Sequence, residues 1–262
     1  FNAEACRVDN GYLILVNSGL LFFLKQIIEA LNMGREFDKV QKDEEVITTI
    51  AQAILTYLRF RDPVFGPTPL AGGLKMFLVM FLTEACEQFV LAHEYGHILS
   101  GHLDGQLGNL QVVRTKVGDV EIIKNDWKQE FEADDVGYEL LIGGKDAGEI
   151  DFDVIDQAKG LESIMTPEEV STVGKGARLM AALAAPLLFF TIESLVTKTW
   201  LAIHKKDAEA LLSRTHPPSE IRLDRIRKRI SWIPMKYLGH AIYPAVLVKM
   251  TEAITERVKA LL

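Results

Sequence analysis

Cysteine is nearly absent: the 262 residues contain two, Cys6 and Cys86, and neither belongs to a CxxC pair. That excludes a disulfide framework and a cysteine-based metal ribbon, and fits a reducing, cytoplasmic compartment. Positive charge is also short. Lys and Arg number 29 against 36 Asp and Glu, a net charge of −7, the wrong sign for a nucleic-acid backbone binder. No nucleic-acid partner is expected. Long apolar runs are missing too. A bilayer span takes about 20 mostly apolar residues. Here 12–24 is cut by Asn17, Ser18 and Gly19, 76–82 is short, and 179–192 carries Pro186 and ends at Glu193. These runs read as buried core helices, with a peripheral membrane contact as the alternative. Internal repeats and low-complexity tracts are absent as well.

What is present is an ordinary globular balance, 48% apolar and 25% charged, in a chain long enough to bury one sizeable core. We read residues 1–262 as a single domain. Helical patterns cover 11–32, 44–60, 74–100, 127–142, 177–205, a basic helix opened by Ser219, and 245–262. Asp126 can cap the helix at Trp127. Residues 112–123 switch to a strand pattern, a hairpin turning at Gly118-Asp119. The Gly-rich, acidic stretch 143–176 is expected to be a mobile lid or insertion. The fold class is mainly α (α+β), with one small hairpin.

The sharpest chemical signal is His93-Glu94-Tyr95-Gly96-His97, an HExxH that arises by chance in about one such chain in a hundred. On a helix, His93 and His97 lie one turn apart on the same face, so both imidazoles can reach one ion. Zinc suits two neutral imidazoles. Glu94 projects beside the metal, where a carboxylate can take a proton from an activated water.

Two histidines leave a third ligand to find. His102, five residues after His97, lies past the helix stop at Gly101. Glu130, in Glu130-Phe131-Glu132-Ala133-Asp134, comes from a separate downstream helix, and Asp134 one turn on can accept the spare ring N–H of a ligand histidine. Glu132 competes but points about 200° away around the helix. Glu130 is favoured, with His102 and Glu132 left as alternatives.

These residues resemble a known group. The segments 89–97 and 130–134 are similar to the HExxH and ExxAD motifs of gluzincin metalloproteases, most closely the CAAX prenyl protease and HtpX type. Thr215-His216-Pro217-Pro218-Ser219-Glu220-Ile221-Arg222 resembles that group's HPPxxxR element. The resemblance implies a zincin-like helical metalloprotease domain with one Zn2+ per chain. It makes Glu130 the third ligand and places His216 and Arg222 near the substrate carbonyl. Read without it, His216 is equally a turn histidine before a Pro-Pro helix start. No strand is read upstream of His93 to serve as a substrate edge; the 112–123 hairpin could serve by strand addition.

The basic run Arg222 to Arg229 invites a nucleic-acid reading. However, residues 119–156 hold 13 acids against 3 lysines, so a solvated or internally paired face is the better expectation. The expected function is therefore a zinc endopeptidase acting on a protein or peptide substrate, with Glu94 as base. The alternatives are a zinc-holding regulatory or interaction protein, and a membrane-associated protease of the same kind.

Overall fold

The computed structural model describes residues 3–33, 40, 43–60, 62–69, 75–104, 110–115, 118–123, 126–143, 167–204, 216–231, 233 and 242–262. Among them are seven α-helices and two antiparallel hairpins. The architecture is mainly helical, as the sequence predicts.

The first hairpin is a correction. Gly11–Val16 is a strand (β2) paired with Ala3–Val8 (β1) in the register Ala5↔Ile14, and helix α1 begins only at Ser18. Asn17 marks the change: its Oδ1 accepts from the Gly19 N–H at 2.8 Å, the local bond that starts a helix. Helix α2 is Glu44–Phe60, and its apolar stripe Val46, Ile47, Ile50 and Ile54 faces inward. Its Tyr57 ring stacks on Phe23 of α1 at 4.4 Å.

Helix α3, Lys75–Leu99, is the central rod. It stops in a Schellman turn: Gly101 has φ 68°, its N–H bonds to Ile98 O, and the His102 N–H bonds to His97 O at 3.0 Å. Strands Leu110–Thr115 (β3) and Gly118–Ile123 (β4) form the second hairpin, between α3 and Trp127–Leu141 (α4). Thr115 pairs with Gly118 and Arg114 with Asp119, so Gly118 and Asp119 belong to the strand rather than to a turn. Asp126 caps α4 through a reciprocal box with Gln129, both bonds at 2.9 Å.

Helix α5 runs from Pro167 to His204. The lid expected over 143–176 therefore loses its last ten residues to this helix, which starts at Pro167, a residue suited to a first turn. Residues 144–166 lie outside the described residues. The small residues Ala181, Ala182, Ala184 and Ala185 are buried on α5, and Phe89 of α3 sits edge-on against Phe189 and Phe190. Ser219–Arg229 (α6) and Ile242–Leu261 (α7) complete the body. One apolar core joins all seven helices, α4 through Tyr138. The β1–β2 hairpin packs outside it, through Ala5 and Ile14 against Ile98 and Leu103, where α3 ends.

Candidate metal centre

Helices α3 and α4 approach closely because small residues line their contact. A Cβ on Gly96 would sit 2.9 Å from the Ala133 carbonyl oxygen, and one on Gly137 would sit 2.9 Å from the His93 nitrogen. Neither position has room for a larger side chain. This closeness carries Glu130, in the first turn of α4, up to the two histidines one turn apart on α3.

The donor atoms of His93, His97 and Glu130 lie within 4.8 Å of one another, so the cluster could hold a metal ion. His93 Nε2 and His97 Nε2 are 3.3 Å apart, and each is 3.6 Å from a Glu130 oxygen. A zinc tetrahedron with bonds of about 2.0–2.2 Å has edges of roughly 3.3–3.6 Å. The imidazole pair lies at such an edge, and each imidazole has its own carboxylate oxygen at that distance, Oε2 for His93 and Oε1 for His97. Both Glu130 oxygens are buried among histidine nitrogens, with His216 Nδ1 3.1 Å from Oε2, but neither makes a well-aligned hydrogen bond, an environment that a metal cation would satisfy. The donor set fits zinc on geometry and on chemistry.

Each histidine is oriented from behind, by different means. Asp134, fully buried, lies 2.9 Å from His93 Nδ1 and accepts two bonds from Arg222, from Nε at 2.9 Å and Nη2 at 2.5 Å. The Arg222 guanidinium is buried as well and lies over the Phe190 ring at 4.4 Å. Burial pushes the Asp134 carboxyl up, but Arg222 and His93 overcome it and hold the pKa below the usual range. Burial also works against charge on His93, yet the bonds to Asp134 and Glu130 push its pKa up to about 10. His97 goes the other way: burial and its histidine neighbour push it down to about 3, so its ring is neutral. Its Nδ1 is 2.9 Å from His102 Nδ1, and His102 Nε2 is 3.2 Å from Glu132 Oε2. Neither alternative ligand belongs to the cluster; both lie behind His97.

Glu94 turns to the open side. Its Oε2 accepts the Ala5 N–H at 2.7 Å. Burial raises the Glu94 pKa, against the lowering pull of His93 and of this bond. Strand β1 thus runs beside the motif, upstream in sequence, where no strand was read. Burial and the Glu94 charge likewise push Glu4 to about 7. The cleft is walled by Ala3 of β1, Leu20 of α1, Phe89 and Val90 of α3, and Phe189 and Glu193 of α5. His216 stands at its rim, 60% exposed, with Nδ1 3.1 Å from Glu130 Oε2. Burial opposes charge on the His216 ring, but the Glu130 carboxylate raises its pKa overall.

Arg222 pairs with Asp134 and also lines the cleft, with Nη1 3.7 Å from Glu130 Oε2. Others of the basic run are paired within the fold: Arg225 with Asp135 at 2.5 Å, Lys228 with Asp224, and Arg229 with Asp135 and Glu139. Ala5, Gly96 and Gly137 escaped the sequence reading. Gly96 sits inside the HExxH and Gly137 exactly one turn after Ala133, a small-residue pattern that could have flagged a close helix contact.

Among the described residues, two helices are long and apolar enough to cross a membrane, α3 and the 174–204 stretch of α5. The most apolar window of α5 is 83% buried, as in a core helix, against 33% for that of α3. Comparison with protein-family models, with curated proteins and with solved structures finds no match to this chain.

Proposed function

We propose that the chain is a zinc-dependent endopeptidase of the gluzincin kind, similar to the CAAX prenyl protease and HtpX type. The observation that carries this reading is the convergence of His93, His97 and Glu130, with donor atoms within 4.8 Å of one another, beside a half-engaged Glu94. His93 and His97 would present Nε2, and Glu130 its carboxylate, to one zinc. Bound there, zinc would supply Lewis-acid chemistry for the scissile carbonyl and the attacking water.

The remaining work falls to the chain. The Ala5 N–H holds Oε2 of Glu94, leaving Oε1 to accept a proton from the attacking water and deliver it to the leaving amine. The raised pKa of Glu94 suits a base that must also act as an acid. His216 sits on a backbone stiffened by Pro217 and Pro218, so an N–H of its ring is held ready for the developing oxyanion. Arg222 and Asp134 keep His93 in the Nδ1–H tautomer, with the Nε2 lone pair directed at the cluster. Glu94 separates this reading from a regulatory protein that merely holds zinc, since a structural site has no use for a base.

A membrane-associated form of the same activity is favoured by one feature. Phe77, Met80, Leu91, Tyr95 and Leu99 are exposed along α3. Flotation with vesicles separates the two forms.

The test of the chemistry is hydrolysis of an unstructured protein by zinc-loaded wild type and Glu94→Gln. The variant should keep its zinc and its fold and lose turnover by about 10²-fold or more. Equal turnover would remove Glu94 from the mechanism.

A further inference from the structure

The His97 side of the cluster carries more than the proposed ligand set uses. His102 is buried, and its ring lies between His97 and Glu132, one nitrogen toward each. Its place follows from the sequence. Gly101, in the left-handed region, ends α3 in a Schellman turn, and the bond from the His102 N–H to His97 O folds the chain back along its own last turn. Glu132 lies on α4, so the contact joins the two helices that supply the ligands.

We infer that His102 and Glu132 are positioning residues that fix the tautomer and ring orientation of His97 through the chain Glu132–His102–His97. The inference rests on the reading of His93, His97 and Glu130 as a zinc site. If His97 Nε2 gives its lone pair to a metal, its proton must sit on Nδ1. That Nδ1 lies 2.9 Å from His102 Nδ1, so His102 Nδ1 must accept. The His102 proton then sits on Nε2, which donates to Glu132 Oε2 at 3.2 Å. Each step leaves one arrangement, and Glu132 sets the direction because a carboxylate can only accept. A neutral imidazole thus does for His97 what a carboxylate does for His93.

The experiment measures zinc affinity of the purified full-length chain by competition with a chromophoric chelator. His102→Leu removes the acceptor and should weaken zinc by about 10- to 100-fold. His102→Asn places Oδ1 where Nδ1 was and should stay within a few-fold of wild type. Glu132→Gln, at a side chain 51% exposed, should lose less than His102→Leu. Equal affinities for wild type, His102→Leu and His102→Asn would overturn the inference. Should His102→Leu fail to fold, 15N spectra of the zinc-loaded wild-type histidines decide instead. They should show His97 protonated on Nδ1 and His102 on Nε2, and a His102 proton on Nδ1 would overturn the assignment. A wild-type chain that binds no zinc would fail the metal reading itself, a result distinct from either outcome for the relay.

Discussion

The two histidines of the cluster share one helix and one face, yet their surroundings differ in kind. Behind His93 stands a buried ion pair, Asp134 with Arg222, doubly hydrogen-bonded and covered by Phe190. Behind His97 stands a second imidazole, His102, backed by a carboxylate half in water. The first arrangement makes the His93 side costly to disturb, because either charge left alone would be buried without compensation. The second can be altered with little penalty to the fold. Two ligands of the same type thus differ in what their loss of support should do: stability and metal together on the His93 side, metal chiefly on the His97 side.

Removing the guanidinium should give the largest effect. Arg222→Met strips the buried Asp134 of its guanidinium partner, leaving it the His93 ring, and should cost about 3 kcal/mol of stability as well as zinc. Thermal or denaturant unfolding of the metal-free variant checks this. A melting temperature equal to that of wild type would erase the contrast between the two sides.

Acid should sharpen the comparison next. With a pKa near 10, His93 binds a proton that zinc must displace, whereas His97, near 3, holds none at neutral pH. The raised His93 pKa favours the metal-free protein fully below the unfolded value of about 6.5, and that advantage fades as pH rises through 10. Zinc affinity should therefore climb with pH, by about tenfold per unit between 6.5 and 9, as one proton is released. Affinity titrations across that range test it; a flat profile would mean that His93 carries no such proton.

The smallest effect is expected one turn along α6. Arg225 pairs with Asp135 near the surface, with 46% of its side chain exposed. Arg225→Ala should cost less than about 1 kcal/mol and leave zinc binding unchanged. Measured beside Arg222→Met, it separates a buried charge pair from an exposed one on the same helix.

Much of the site was legible because helical spacing is a strong constraint. His93 and His97 four apart, and Glu130 and Asp134 four apart, must share faces whatever surrounds them. The same arithmetic could not say which side of α6 faces inward, so the pairing of Arg222 with Asp134 was not read. The β1–β2 hairpin was missed because Gly11–Val16 is a short apolar run, and such a run fits a strand or a helix equally. Only the Asn17 cap distinguishes them, and it read as an interruption. The start of α5 was missed for a related reason. Gly174 and Gly176 suggested a loop, but packing along a long helix outweighs the roughly 1 kcal/mol that each glycine costs. Contacts between elements distant in sequence, such as Ala5 with Glu94 or His102 with Glu132, leave no local pattern to read.

The central claim is that His93, His97 and Glu130 together hold one zinc. Elemental analysis of the purified chain, wild type beside Glu130→Ala, tests it most directly. One zinc per wild-type chain and a large loss in Glu130→Ala is the predicted result. A Glu130→Ala chain that retains its full zinc would contradict the account.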